Sequence, residues 1–192
     1  MSAEHELWLV RHGETEWSKS GQHTGRTDVP LTEKGRAQAR ALGALLGDHA
    51  FARVLSSPKS RALETGRLAG YGDGIDTDDD LVEWDYGEYE GERTVDIRKA
   101  RPDWSLWRDG CIGGETAEQV GERAGRVLAE FERAGGDVVL FSHGHFLRVL
   151  TATWLGLPPE AGSLFALDTA TLSVLGHERE NHVVWLWNQP AP

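Results

Sequence analysis

The amino-acid sequence predicts an α/β fold, a mostly parallel sheet covered by helices on both faces. Three observations carry that reading. Leu7, Trp8, Leu9 and Val10 form a short apolar run, the mark of a strand buried on both sides, and Asp137 to Ser142, DVVLFS, form another. Both runs stop at a histidine, the first at Arg11-His12-Gly13 and the second at His143-Gly144-His145. Capped helical patterns alternate with such runs along the chain, as parallel strands require. Ligands of open α/β sheets bind beyond the carboxyl ends of the strands, so both histidines stand where a site is expected.

Taken in order, Leu7 to Val10 is the first strand. Gly21 to Pro30, GQHTGRTDVP, is a polar, glycine-rich connection. A helix follows with Thr32 as N-cap, Glu33 in its first turn and Ala37, Ala41, Leu42 and Leu45 on its apolar face; Gly47 ends it. Ala52 to Ser56 reads as the second strand. Ser57-Pro58 breaks it, and a helix runs on to about Ala69, with Arg61 near its start. Tyr71 to Asp80 is a Gly/Asp loop, Leu81-Val82-Glu83 a short extended piece, and Asp85 to Gly91 another polar segment. Arg93 to Asp109 is an irregular helical excursion. Thr116 opens the clearest helix, with Gln119 completing a capping box and Val120, Ala124, Val127, Leu128 and Phe131 spaced by three and four. Gly135-Gly136 stop it. After the strand to Ser142 comes a helix from about Phe146 to Leu155. Thr171 to Leu175 and His182 to Trp187 are the last two strands.

At 192 residues the chain is read as a single domain, residues 1–192, able to bury a real core. No apolar run approaches the roughly 18 residues that span a membrane. The N-terminal MSAEHELW lacks a basic region followed by an apolar stretch, so no signal peptide is expected. The single Cys111 excludes an internal disulfide, and a cytoplasmic protein is the simplest inference. A net charge of −11 argues against nucleic acid or an anionic membrane as partner. A phosphate ligand would then need a local basic pocket inside an acidic surface. Nothing in the sequence decides between a monomer and a homodimer.

Four segments offer polar groups at strand ends: Arg11-His12, Arg61, Glu83 and His143. Alone, each has an ordinary explanation as a surface charge or a satisfied core histidine. Together they suit phosphoryl transfer. A neutral imidazole attacks phosphorus and forms a phosphohistidine that water later hydrolyses. Guanidinium groups at Arg11 and Arg61 offer paired donors matched to phosphate oxygens, and His143 adds another. A carboxylic acid, assigned to Glu83, protonates the leaving oxygen and later deprotonates water. His143-x-His145 is a poor metal pair, because on a strand the two share a face but have no third ligand nearby. No metal and no cofactor are expected.

The run Arg11-His12-Gly13-Glu14-Thr15-Glu16-Trp17 resembles the signature of the histidine phosphatase superfamily, the phosphoglycerate-mutase-like proteins. Leu55-Ser56-Ser57-Pro58 with Arg61-Ala62 and Glu64-Thr65 is similar to its second motif. Glu83 with Gly87 and Glu90-Gly91 is similar to its acid/base segment, and Ser142-His143-Gly144 to its last motif. The resemblance implies a three-layer α/β/α sandwich with a mixed sheet. It also implies catalytic roles for Arg11, His12 as nucleophile, Arg61, Glu83 and His143. Gly13, Ser18, Thr24, Gly25, Tyr86 and Gly144 are its implied substrate-binding positions. Many relatives carry asparagine where this chain has Ser18, and the pocket lysine of the mutases falls at Thr94. Trp17-Ser18-Lys19-Ser20-Gly21-Gln22 and Leu106-Trp107-Arg108-Asp109-Gly110-Cys111 look like the branch of small acid phosphatases and sedoheptulose-bisphosphatase-like enzymes.

The expected function is therefore a phosphomonoesterase of small phosphorylated metabolites such as sugar phosphates or bisphosphates. The alternative is a phosphoglycerate mutase, which must keep water from its phosphohistidine. Mutase relatives that do so are longer, with an inserted segment and a C-terminal closing tail. Here Glu83 and His143 stand close in sequence and the chain ends soon after Trp187. A binding module without turnover is the reading from a different class, and an adduct on His12 discriminates against it.

Overall fold

The computed structural model describes residues 5–72 and 74–192. Met1–Glu4 of the segment read for a leader, and Asp73 of the Gly/Asp loop, lie outside the described residues. Among the described residues six strands form one sheet: β1 (Leu7–Arg11), β2 (Arg53–Ser56), β3 (Asp76–Thr77), β4 (Val138–Ser142), β5 (Thr171–Glu178) and β6 (Asn181–Pro190), in the order β3-β2-β4-β1-β5-β6. β1, β4, β2 and β3 run parallel, while β5 is antiparallel to β1 and β6 to β5. The sheet is thus mixed and mostly parallel. Register pairs Arg11 with Ser142 and Ser56 with Phe141, so β1, β4 and β2 end at one edge.

Among the described residues the α-helices are α1 (Glu16–Ser20), α2 (Glu33–Leu46), α3 (Ser60–Gly66), α4 (Thr94–Ala100), α5 (Leu106–Asp109), α6 (Ala117–Phe131) and α7 (Gly144–Trp154). β4 is buried at every position. Val138 and Leu140 face a core shared with Val120, Ala124 and Val127 of α6 and Phe146 and Leu150 of α7. Val139 and Phe141 face Leu42 and Leu46 of α2 on the other side. That two-sided burial is why DVVLFS reads as continuous rather than alternating. Each such side chain contributes about 1.5–3 kcal/mol of transfer free energy.

The expected caps are present. Thr32 Oγ1 accepts from the Gly35 N–H, Gly47 ends α2, and Thr116 and Gln119 satisfy each other's backbone at the start of α6.

Several local readings are corrected. α1 interrupts a stretch with no periodicity; five residues are too few to show one, and it forms on a Thr15/Ser18 capping box. Of the piece read as extended, Leu81 instead closes a 3₁₀ turn, Asp79–Leu81, in which Asp78 accepts from the Asp80 N–H, while Val82 is extended. Inside the Gly/Asp loop, Asp76–Thr77 pairs with β2. α6 stops at Phe131, before the glycines. The helix after β4 begins at Gly144, so His143 is its N-cap and His145 lies in its first turn. The two histidines are not on a strand and do not share a face.

Candidate active site

The end of β1 sets the centre. The His12 N–H donates to the Ser142 carbonyl of β4 at 3.1 Å. At Gly13 a Cβ would lie 2.4 Å from the Gly35 carbonyl oxygen, so only glycine lets this turn pack on α2. The Gly13 N–H donates to Thr65 Oγ1 of α3 at 3.1 Å. His12 Nδ1 lies 2.7 Å from the Gly13 carbonyl oxygen. A carbonyl only accepts, so Nδ1 carries the proton and Nε2 the lone pair. Burial first, then the cations Arg61 and Arg11, hold the imidazolium pKa well below the usual histidine range. A neutral imidazole with a free Nε2 lone pair is a competent nucleophile.

Arg11 closes β1 with its guanidinium against Gly144, where a Cβ would stand 3.1 Å from Cζ and 3.2 Å from Nε. One terminal nitrogen donates to the Leu167 carbonyl. Nε is buried with no hydrogen-bond partner among the described residues. A buried guanidinium with an unpartnered N–H is matched by an anionic oxygen.

Arg61, in the first turn of α3, is fully buried. Its Nη1 donates to the Thr27 carbonyl at 3.0 Å, and Nη2 to the Thr24 and Gly25 carbonyls at 3.0 and 3.2 Å. Its Nε donates to His143 Nδ1 at 3.2 Å. His143 therefore carries its proton on Nε2, 2.8 Å from Ser57 Oγ. Burial, then Arg61, holds His143 neutral, and its ring centroid lies 5.2 Å from that of His12.

Glu83 reaches across to the start of α7. Its carboxylate accepts the N–H groups of His145 at 3.0 Å and Phe146 at 2.8 Å, and that of Trp84 at 2.9 Å. Carboxylates are favoured at helix N-termini, which offer unpaired N–H groups. The backbone that carries it is clamped by Arg123 of α6, which donates to the Asp80 carbonyl at 2.7 Å and the Val82 carbonyl at 3.0 Å. The same guanidinium pairs with Glu115 at 2.8 Å.

These groups open into a cavity of about 230 Å³. Of the expected residues, Arg11, His12, Ser18, Thr24, Glu83, Tyr86 and Gly144 line it. Gly13, Gly25, Arg61 and His143 do not line it: Gly13 accepts from His12 and Arg61 donates to Thr24, both lining residues, while Gly25 and His143 bond to Arg61. Ser18 Oγ is engaged by Thr15, donating to its carbonyl and accepting from its N–H, both at 2.9 Å. The Tyr86 hydroxyl lies 2.6 Å from His145 Nδ1. Burial keeps Tyr86 well above the phenol range and His145 well below the histidine range, so the phenol donates to a neutral imidazole.

Thr94, where the mutases' pocket lysine falls, lines the wall; sequence reasoning missed His23, His145 and Arg148 as wall residues. His23 stands beside Thr24 in the polar connection and stacks on Tyr86 at 4.7 Å. Arg148 follows His145 by three positions, the spacing that puts both on one helix face; its guanidinium sits 4.5 Å from the Trp107 ring. Cys111 also packs nearby, its thiol pushed up to about 12 by burial and by Asp85, Glu115 and Glu90, which makes it unreactive.

A mixed α/β sheet with imidazoles, guanidiniums and a carboxylate gathered at the ends of its parallel strands defines a class of phosphate-handling enzymes. A sequence profile of the histidine phosphatase superfamily (branch 1) matches residues 7–190, and the chain belongs to that superfamily. It is 44% identical over 98% of its length to an acid phosphatase of Mycobacterium tuberculosis, of which it covers 96%. It is 39% identical, over 78% of its length and 67% of the relative's, to a sedoheptulose 1,7-bisphosphatase of Saccharomyces cerevisiae. The solved structure of an open reading frame of Mycobacterium tuberculosis matches with a TM-score of 0.93 and 41% identity, over 98% of this chain and 99% of that one. Among the described residues no helix is long and apolar enough to cross a membrane.

Proposed function

We propose that this enzyme hydrolyses small phosphate monoesters, sugar phosphates or bisphosphates among them, through a phosphohistidine on His12. The observation that carries the reading is the pairing of a neutral imidazole, its proton held on Nδ1 by Gly13, with a guanidinium whose buried Nε has no partner among the described residues. In the first half-reaction Nε2 of His12 bonds to phosphorus, and the ester P–O bond breaks. Glu83 gives the departing alkoxide its proton. In the second, water attacks phosphorus, Glu83 takes the water's proton, and the N–P bond breaks to release inorganic phosphate and neutral His12. Arg11 neutralises charge on the transferred group, and Arg61 and His143 hold the floor beneath it. The names of the acid phosphatase and sedoheptulose 1,7-bisphosphatase relatives support the substrate class, as does a cavity of about 230 Å³, sized for a small metabolite.

Rapid mixing with an aryl phosphate, acid quench-free digestion and mass spectrometry test the reading. A phosphoryl adduct on the peptide bearing His12, absent in His12→Ala together with turnover, is the expected result. Turnover that persists in His12→Ala refutes it. Incubation with 3-phosphoglycerate and a bisphosphoglycerate primer should release more phosphate than isomer; the reverse would favour the mutase.

A further inference from the structure

The β5–β6 hairpin and the end of α6 meet on the protein surface, outside the residues that line the catalytic cavity. Glu132, His177 and His182 each offer a ligand atom there, and the three atoms lie within 4.8 Å of one another. From this geometry we infer a divalent transition-metal site, for which zinc is the best match.

The fold builds the site from three separate pieces of sequence. His177 and His182 face each other directly across the hairpin, in register as cross-strand partners. Arg179, at φ +57, turns the chain between them. Both rings pack on Trp154 of α7. His182 stacks on it at 3.9 Å and 13°, and His177 meets it edge-on at 5.0 Å. The rings themselves are 4.9 Å apart.

The hydrogen bonding prepares ligation. His182 Nδ1 lies 2.7 Å from the Trp154 carbonyl oxygen. That oxygen can only accept, so the proton is on Nδ1 and Nε2 keeps its lone pair. An imidazole whose second nitrogen donates to a backbone carbonyl is the usual arrangement of a metal-bound histidine. His177 Nδ1 is buried with no hydrogen-bond partner among the described residues, so this ring has a nitrogen whose hydrogen-bonding capacity is unused.

Glu132 supplies the charge. It is the C-cap residue of α6, at the negative end of the helix dipole, and the last turn of that helix holds no basic residue. A carboxylate there is disfavoured unless a cation joins it. Two imidazoles and one carboxylate suit zinc, with water as fourth ligand, better than the oxygen-seeking calcium or magnesium. Tetrahedral zinc needs ligand atoms about 3.4 Å apart, so modest side-chain rotation closes the set. Bound there, the ion would tie the hairpin of an edge strand to α6, a structural role independent of phosphoryl transfer.

Isothermal titration of the EDTA-stripped full chain with Zn²⁺ tests the inference, with Glu132→Gln and His177→Gln as variants. Glu132 is exposed, so its amide leaves the fold intact, and melting in EDTA verifies this for both variants. A wild-type site of one zinc per chain, weakened at least about tenfold in each variant, is expected. Zinc at about 100 times its Kd should also raise the wild-type melting temperature by about 5 °C or more, and not that of the variants. Absence of binding, or binding of equal strength in wild type and variants, overturns the inference. The second outcome would place zinc on other histidines.

Discussion

Replacing Arg61 tests how the floor of the pocket works. In Arg61→Ala four acceptors lose their donor: His143 Nδ1 and the carbonyls of Thr24, Gly25 and Thr27. Thr27 is exposed and regains water, whereas His143 and Gly25 are buried. At about 1–3 kcal/mol for each of these two buried groups left unpaired, the loss of stability is about 2–6 kcal/mol. That is a large share of the roughly 5–15 kcal/mol of an ordinary domain. Arg61→Lys keeps the charge with donors on a single nitrogen, and should lose about half as much. Turnover of an aryl phosphate should fall about 10²–10³-fold in Arg61→Ala, because the Thr24 wall is released and the His143 tautomer is no longer held. A second consequence has a definite sign. After burial, Arg61 is the main cause that lowers the His12 pKa. Without it the pKa rises, and His12 loses its nucleophilic lone pair at a higher pH. The acid limb of kcat/KM should therefore move upward. Urea unfolding and pH–rate profiles of wild type, Arg61→Lys and Arg61→Ala provide the measurements. Stability within about 0.5 kcal/mol of wild type, or an unmoved acid limb in Arg61→Ala, would refute this account of the pocket floor.

Glu83→Gln should slow alkyl phosphates more than aryl phosphates, since alkoxides leave poorly without a proton and phenolates do not; equal losses, with transfer to His12 limiting both, remove Glu83 as the acid. Stability should fall below neutral pH. His12, His143 and His145 are held neutral by burial when folded but take up protons freely when unfolded. Above about pH 6.5 no penalty exists; below it each adds about 1.4 kcal/mol per pH unit until its own folded pKa is reached. Melting temperatures from pH 7 to 5 should drop, and drop less steeply in His145→Gln; a flat profile contradicts the buried neutral imidazoles.

Strand and helix identity, and the polar groups at the strand ends, were legible because burial imposes periodicity. DVVLFS is apolar throughout since β4 is covered on both faces, and Thr116 with Gln119 announces α6 through a local capping box. Arg11, His12 and His143 could be placed at one edge because parallel strands end together. Short elements escaped: α1 and β3 owe their form to a cap and a neighbour rather than to a repeating pattern. What tertiary structure alone decided is who faces whom. Arg61 turned out to bond the Thr24–Thr27 carbonyls and His143, and Glu83 the first N–H groups of α7. His23 and Arg148 reached the cavity wall, and Glu132 met His177 and His182 across 45 positions or more. Sequence records the periodic demand of a buried face. Such long-range partnerships leave no period behind, because they depend on the angle at which separate elements pack.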